Sequence, residues 1–264
     1  MVPLVQRKPE ARCWRGMTTA YSRLRISTDE WLTRILGYPA ISVEVPAGRP
    51  EENVRAEEIQ PLRHALARAP LFAFCKMPTF CLLWPRTLAR LGFYIVDTTV
   101  VFEAAHMQLP SERIPLAIRQ AVPSDEEQVA ALARTCFIFD RFHTDPEISP
   151  RDADRIKEEW ARGFFKGARG THMVVACASD TVAGFVLLIL QNDILTVDLI
   201  AVREDMRGEG IAPALLSHAH QKFGGKIVRA GTQIANIPAV RMYEKLGFAA
   251  VSSHYVFHYH NRRG

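Results

Sequence analysis

Long hydrophobic runs are absent from this sequence, and cysteines are few. The longest apolar run, at residues 183–190, is far shorter than the ~20 residues that a membrane-spanning helix needs. The first residues contain no apolar stretch typical of a signal peptide. The five cysteines form no CxxC pair, and their odd number argues against a disulfide framework or a zinc knuckle. These absences predict a cytoplasmic protein without a membrane partner.

A strong charge of either sign is also lacking. The chain has 33 basic and 28 acidic residues, a net charge of 33 − 28 = +5, and the basic residues are scattered. This balance argues against a nucleic acid as partner, whereas a mildly basic surface suits a polyphosphate ligand. With 264 residues, 48% of them apolar, the chain is long enough for one large domain or two small ones.

Proline punctuation predicts two domains. Pro110 and Pro115 frame a polar joint that cannot lie inside regular elements, so we place a boundary there, with a small α/β domain at 1–110 and a second domain at 111–264. In the first domain the N-terminal 20 residues and residues 46–53 have no regular pattern. The predicted elements are a helix at 28–36 capped by Ser27 or Thr28, a strand at 40–45, a helix at 54–69, a strand at 71–77, a helix at 85–91 and a strand at 93–103.

The second domain has clearer signals. Residues 124–127 form a capping-box pattern, and Ser149 followed by Pro150 predicts another helix start. The predicted order is β-α-α-β-β-β-α-β-α-β, with strands at 116–121, 172–178, 182–190, 194–202, 227–233 and 253–259, and helices from 124 and at 151–165, 211–223 and 238–246.

A short internal echo relates the two domains. Residues 90–93 (RLGF) match residues 245–248 (KLGF), and the same offset, 245 − 90 = 155, aligns Val101 with Val256 and Phe102 with Phe257. Both copies predict a helix end, a glycine and a strand. Such a transition can recur by chance, or the N-terminal domain is a degenerate duplicate that has lost its ligand site.

One loop has the chemistry of an anion site. The strand at 194–202 runs into Arg207-x-x-Gly210-x-Ala212, which opens a helix. The first N–H groups of a helix have no internal partner and point at whatever lies at its N-terminus. Gly208 and Gly210 allow oxygen atoms to approach the main chain. The pattern favours a pyrophosphate, although an ordinary strand-to-helix turn has the same form.

About twenty residues later the pattern Asn236-x-x-Ala239-x-x-x-Tyr243-x-x-x-Gly247-Phe248 follows. With this second motif the sequence resembles the GNAT superfamily of N-acyltransferases. The resemblance implies an α/β (α+β) fold with a mixed, mostly antiparallel sheet flanked by helices. It also implies acetyl-coenzyme A, or another acyl-coenzyme A, as co-substrate, and no metal.

A narrower resemblance covers most of the chain. The stretches 139–146 and 159–160, Thr232-Gln233 and the 255–259 tail are similar to the dTDP-fucosamine acetyltransferase family. That likeness implies a nucleotide-linked amino-deoxy sugar as acceptor. A GNAT enzyme acting on a non-sugar amine (a protein N-terminus, a polyamine or an aminoglycoside) and a non-catalytic coenzyme-binding protein are the alternatives.

The resemblance also assigns candidate residues. Tyr243 is the expected general acid for the leaving thiolate. Asp198 is a candidate base, with His143, Glu103 or a chain of waters as further options. The expected acceptor contacts are Arg141, Phe142, His143 and Gln233, with Phe142 stacking on a base. The expected coenzyme contacts are Ile200, Ala201, Val202, Arg207, Gly208, Gly210, Ile211, Ala212 and Asn236.

Two expectations concern the C-terminal strand. His254, His258 and His260 share one strand face by alternation, and without a spaced carboxylate or cysteine beside them in the sequence we interpret them as surface residues, not metal ligands. The strand at 255–260 is also predicted to be a sheet edge through which a homodimer can form.

Overall fold

The structure is a computed structural model, and it describes residues 24–46, 54, 56–108 and 114–262. The irregular N-terminal stretch with Cys13, the 46–53 loop beyond its first residue and most of the proline-framed joint lie outside the described residues. Among the described helices, none is long and apolar enough to cross a membrane.

The first half alternates short strands and helices, and from α1 onward the order is the predicted one, whereas the strand before α1 was not predicted. Its elements are β1 (Arg25–Thr28), α1 (Glu30–Leu36), β2 (Ala40–Glu44), α2 (Ala56–Leu66), β3 (Leu71–Pro78), α3 (Leu83–Arg90) and β4 (Tyr94–Ala104). The α1 helix is capped by Asp29, whose Oδ1 accepts from the Leu32 N–H at 2.8 Å, and not by the predicted Ser27 or Thr28. A carboxylate in that position also suits the positive end of the helix dipole.

The second half also follows the predicted order. Its elements are β5 (Ala117–Gln120), α4 (Glu126–Cys136), α5 (Pro150–Phe165), β6 (His172–Ala178), β7 (Thr181–Gln191), β8 (Ile194–Val202), α6 (Ile211–Phe223), β9 (Ile227–Gln233), α7 (Ile237–Lys245) and β10 (Ala249–Asn261). The Ser149 cap of α5 is confirmed, since its Oγ accepts from the Asp152 N–H. The capping box predicted at 124–127 is wrong, because Glu127 pairs with Arg162 at 2.7 Å and a short 3-10 turn precedes α4. In that turn the Asp125 carboxylate accepts from the Val122 N–H at 2.8 Å.

All ten described strands form one sheet in the order β1-β2-β3-β10-β4-β9-β8-β7-β6-β5. Only β2/β3 and β8/β9 are parallel. Because β10 lies between β3 and β4, the prediction that residues 255–260 form a sheet edge is wrong. The sheet runs without a break across the predicted boundary at 110/111, which remains a prediction, as does the dimer.

The 155-residue echo extends into the strand pairing. Thr99 of β4 pairs with Gln233 of β9, and adding 155 to the first and subtracting it from the second gives His254 and Pro78, which also pair. The same operation relates all six described β4/β9 partners to β10/β3 partners. It maps the central Thr99–His254 pair onto itself, since 99 + 155 = 254. The two halves are therefore related by a pseudo-twofold centred on that pair.

Helices pack on both faces of the sheet. Buried residues of α2 and α3, and of α6 and α7, form two clusters on one face. The other face carries α1, α4 and α5. The α1 and α5 helices meet where the Trp31 and Trp160 rings form an edge-to-face pair at 5.8 Å. On that second face a polar central strip runs from β3 to β9, and we define it as Lys76, Asp97, Thr99, Gln233 and His254.

Candidate active site

Two parallel strands separate at the centre of the second half. The β8 and β9 strands pair only from Ile194 with Ile227 to Val197 with Ala230. At that point the β7 partner changes from Leu188 to Leu187, so Asp198 is an extra residue, a β-bulge. Bulges bend a strand away from its neighbour. The β9-facing edge of residues 199–202 is therefore left without a ladder partner among the described strands, and its main-chain N–H groups are available to a ligand.

The predicted anion loop lies at the open end of this gap. Gly208 (φ +87°) and Gly210 (φ +77°) both adopt the left-handed region, and Gly210 caps α6 with no side chain at all. Arg207 anchors the loop by donating to the Val202 and Cys136 carbonyls, each at 3.3 Å. The first N–H groups of α6 are thus presented by an open backbone, as a pyrophosphate requires.

The residues expected to contact the coenzyme lie together around the gap and the loop. The side chains of Ala201 and Ile211 are buried in the core, so these two positions can offer only main-chain groups. Asn236 caps α7, its Oδ1 accepting from the Ala239 N–H at 3.2 Å. Their role in binding a coenzyme remains a prediction.

Tyr243 lies on α7 in the cluster that also packs against Ile200 and Val202 of β8. Its ring is 2% exposed and lies between Phe102 (5.7 Å between centroids) and Phe248 (5.3 Å). Burial raises the pKa of Tyr243 well above its ordinary value. The hydroxyl therefore stays protonated at neutral pH, as a proton donor must.

Asp198 does not have the surroundings of a free base. Its Oδ2 accepts from Trp160 Nε1 at 2.8 Å and from Arg169 Nε at 2.7 Å, and its Oδ1 accepts from Arg169 Nη2 at 3.1 Å. Both oxygens of this carboxylate are thus already occupied by donors of the protein. These contacts indicate that Asp198 fixes the bulge to α5, and a role as base is untested.

The other two candidate bases are also paired. Glu103 forms an ion pair with Arg229 at 2.6 Å. His143 contacts Asp140 through Nδ1 and Asp154 through Nε2, so both ring nitrogens are engaged. Burial lowers the pKa of His143, but the hydrogen bond and charge of Asp140 outweigh it, and the pKa is raised. An imidazole with both nitrogens held by carboxylates has no free nitrogen to accept a proton from an amine.

Phe142 requires a correction. The sequence suggested that it stacks on a base, but the residue is 1% exposed and packs with Leu32, Phe72 and Ile156. Its ring is buried because the α4–α5 connection folds down onto the space between α1 and β3. No face of Phe142 is left for a ligand in this structure.

Arg141 and Gln233 lie on the same face of the sheet. The Arg141 guanidinium lies between two aromatic rings, 4.1 Å from the centroid of Phe74 and 4.3 Å from that of Phe142. Gln233 is next to Thr99 in the central strip. The structure thus brings both residues to the same face of the sheet, although their contact with an acceptor is untested.

The C-terminal histidines are not on the surface, contrary to the prediction. His258 is fully buried, and its Nδ1 lies 2.6 Å from Asp145 Oδ2, which also contacts His260 Nε2 at 2.8 Å. Tyr94 donates to the other oxygen of Asp145 at 2.6 Å. Alternation correctly placed His258 and His260 on one face, but the α4–α5 connection, which supplies Asp145, covers that face. We call these four residues the Asp145 knot.

A metal ion is geometrically conceivable in the Asp145 knot, since ligand atoms of Asp145, His258 and His260 lie within 4.8 Å of one another. However, His258 Nε2 faces Arg141 Nη1 at 3.4 Å. Arginine can only donate, so Nε2 accepts and Nδ1 carries the proton that Asp145 accepts. If a metal ion bound Nδ1 of His258, the ring proton would be on Nε2, and this N–H would face the N–H donor of Arg141. The surroundings fit a hydrogen-bonded knot better.

The Asp145 knot predicts that acid destabilises the protein. Burial first, together with the charge of Arg141, lowers the pKa of His258 from 6.5 to about 4 despite Asp145. The unfolded chain therefore takes up a proton between pH 6.5 and 4 that the folded chain refuses. A pKa difference of about 2.5 corresponds to a loss of about 3 kcal/mol in unfolding free energy across that window. Urea denaturation at pH 7 and at pH 4.5 measures this drop in unfolding free energy. If His258→Gln showed the same drop between the two pH values, His258 would not be its cause.

Sequence reasoning missed Asp97. Burial first raises its pKa, against hydrogen bonds from the Thr98 backbone and the Thr99 and Gln233 side chains. A carboxyl group whose pKa moves toward neutrality is a plausible proton acceptor. Strand alternation could have found it, because residues 97, 99 and 101 share a face of β4, but the sequence does not tell which face stays open.

Comparisons with known proteins agree with this geometry. Residues 128–248, which contain most of α4, the bulge, the loop and Tyr243, match the model of the acetyltransferase (GNAT) family. A curated relative, the spore coat polysaccharide biosynthesis protein SpsD of Bacillus subtilis (strain 168), is 34% identical over 139 residues. These are 52% of this chain and 48% of that protein, so the alignment spans about half of each.

Solved structures share the fold over most of the chain. A functionally unknown conserved protein from Staphylococcus epidermidis superposes with a TM-score of 0.62 at 13% identity, covering 87% of this chain and 88% of that one. A tandem GNAT protein from the clavulanic acid biosynthesis pathway has a TM-score of 0.56 at 15% identity, covering 85% and 76%. The chain therefore has a GNAT fold, and its residues 128–248 carry the sequence pattern of the GNAT acetyltransferase family.

Proposed function

We propose that this protein transfers an acyl group, acetyl in the simplest case, from acyl-coenzyme A to the amino group of a nucleotide-linked amino-deoxy sugar. The observation that carries the proposal is the gap between β8 and β9, which opens at the Asp198 bulge and ends at the N-terminus of α6. Residues 111–264 provide this part of the site, and the N-terminal half completes the sheet beside it.

The chain's own groups fit a coenzyme A thioester. The unpaired edge of residues 199–202 offers N–H donors to a thioester carbonyl, where negative charge develops during attack. The open backbone of Gly208 and Gly210 and the first turn of α6 suit a pyrophosphate, with Arg207 adding a positive charge. We assign Asn236 to the pantetheine arm in addition to its cap on α7.

Direct attack needs two proton movements. The amine nitrogen forms a bond to the acyl carbon, the carbon–sulfur bond breaks, and the leaving thiolate takes the proton of the Tyr243 hydroxyl. The amine loses a proton in the same process. Since Asp198, His143 and Glu103 are all paired, Asp97 or water serves that step better than any of them.

Two lines support an amino sugar as acceptor. The central strip is polar and lies on the face opposite α6 and α7, next to the bulge. SpsD is named for polysaccharide biosynthesis, which agrees with the sequence likeness to the dTDP-fucosamine acetyltransferase family. An enzyme that acetylates a nucleotide sugar supplies building blocks for such polymers.

The test is thiol release from acetyl-coenzyme A with a panel of acceptors. We expect turnover with a dTDP-linked 4-amino or 3-amino 6-deoxyhexose, and at least 100-fold lower kcat/KM with spermidine, an aminoglycoside and a peptide amine, because those lack the groups that a polar site is built to contact. Faster turnover with one of the three non-sugar amines would overturn the acceptor assignment. Intact coenzyme binding without turnover on any amine would favour a binding protein.

A further inference from the structure

Two cationic side chains lie close together on the central face. Lys76 projects from β3 on the same face as Arg141, which reaches over from the α4–α5 connection. Lys76 is exposed to solvent, yet desolvation by the protein around its amine lowers its pKa, and the positive charge of Arg141 lowers it further. In the described part of the chain, neither cation has a carboxylate oxygen within 4.0 Å.

The acids around these cations are occupied by other donors. Asp145 accepts from Tyr94, His258 and His260, and Asp140 accepts from His143 and faces Lys157. Asp29 caps α1, and Asp97 accepts from Thr99 and Gln233. Each carboxylate therefore lends Arg141 or Lys76 only longer-range compensation. Apart from Arg141 Nη1, which faces His258 Nε2 at 3.4 Å, the hydrogen-bond donors of the two cations have no partner within the described chain.

Arg141 is held in place before any ligand arrives. The Phe74 and Phe142 rings fix the plane of its guanidinium, and the neutral His258, oriented by Asp145, accepts from Nη1 at 3.4 Å. Ordering a free arginine side chain on binding costs affinity, and this arrangement avoids that cost. A planar guanidinium with fixed donors suits a phosphate or carboxylate group.

A third group on the same face lacks a partner. His254 lies across the sheet between Pro78 and Thr99, on the same face as Lys76. Its Nδ1 atom is inaccessible and makes no hydrogen bond within the described chain. Burial lowers the pKa of His254 to about 4, and the charge of Lys76 contributes. A neutral imidazole with an unused nitrogen is an unusual feature for a buried site without a ligand.

We propose that Lys76 and Arg141 form the subsite for the phosphate groups of the acceptor. In the 155-residue repeat, Leu88 occupies the position of Tyr243 (243 − 155 = 88), so the N-terminal half has no counterpart of the proposed general acid. Through Lys76 that half contributes to recognition of the acceptor instead. The inference rests on the proposed function for the acceptor's identity, but the subsite itself is defined by the two cations.

The test is binding of thymidine diphosphate to protein saturated with coenzyme A, so that the coenzyme's own phosphate site is filled. Calorimetry should give a Kd that rises about 10- to 100-fold in Lys76→Met and in Arg141→Gln, as expected for loss of a charged hydrogen bond. Arg141→Lys should recover part of the loss. Lys222→Met, an exposed lysine at the far end of α6, is the matched control and should bind like the parent.

The outcomes separate this proposal from the proposed function. Weak binding of thymidine itself with tight binding of thymidine diphosphate and inorganic pyrophosphate supports a phosphate subsite, whether or not turnover is found. The proposed subsite would be overturned if the folded variants Lys76→Met, Arg141→Lys and Arg141→Gln turned over a nucleotide sugar with the same KM for that sugar as the parent. The assignment as an enzyme would then still hold. Circular dichroism and thermal unfolding establish that each variant is folded.

Discussion

Replacing Tyr243 by phenylalanine should lower kcat for acyl transfer by about 10²- to 10³-fold, the range typical of losing a general acid. The Kd for acetyl-coenzyme A should change by less than about twofold, because the ring and its contacts with Phe102 and Phe248 remain. The lost hydroxyl is the proton donor whose pKa is raised by burial, and without it the thiolate leaves unprotonated. Thiol-release assays measure kcat, and calorimetric titration with acetyl-coenzyme A measures the Kd.

The matched control is Tyr259→Phe. That hydroxyl donates to the Leu66 carbonyl at 3.2 Å, in the first half and away from the gap, so its removal should leave kcat unchanged. A loss below threefold in Tyr243→Phe would show that another group or a water protonates the thiolate. Equal losses in both variants would point to an effect on folding instead.

Removing the carboxylate of Asp145 should produce the largest loss of stability. Asp145→Ala leaves the N–H groups of His258 and His260 and the hydroxyl of Tyr94 without their acceptor, in a site where the Asp145 side chain is completely buried. Breaking such a buried charged network costs about 3–5 kcal/mol of unfolding free energy. Urea denaturation monitored by circular dichroism at pH 7 measures the change.

Asp152→Ala provides the comparison for Asp145. Asp152 lies in the first turn of α5, and its pair with Arg155 at 3.6 Å is exposed. An exposed pair is worth at most about 1 kcal/mol. If Asp145→Ala costs no more than Asp152→Ala, the Asp145 knot does not stabilise the fold, and its hydrogen bonds must be offset by the burial of its charge.

Local chemistry made much of the second half predictable. The order of strands and helices from β5 to β10 follows from hydrophobic spacing, and the start of α5 follows from Ser149 and Pro150. The anion loop was found from its glycines, because their left-handed conformations are a property of the residues themselves. These features depend on neighbours in sequence, which a single chain displays.

Pairings between distant residues could not be predicted in the same way. Asp198 and Glu103 both resemble bases in the sequence, and only the folded chain brings Arg169 and Arg229 to them. Alternation gave the shared face of His258 and His260 but not the loop that buries it. The position of β10 inside the sheet depends on contacts across about 150 residues, so a strand that looked like an edge is central.

The interleaving of β4 and β10 has a consequence for how the chain is made. During synthesis β3 and β4 emerge long before β10, and until it arrives both present an open hydrogen-bonding edge to solvent. Contacts of such long sequence separation form late and slowly. Neither half can complete its part of the sheet alone, so we expect the two halves to fold together. The N-terminal half on the ribosome, before β10 is made, is then the species most exposed to aggregation.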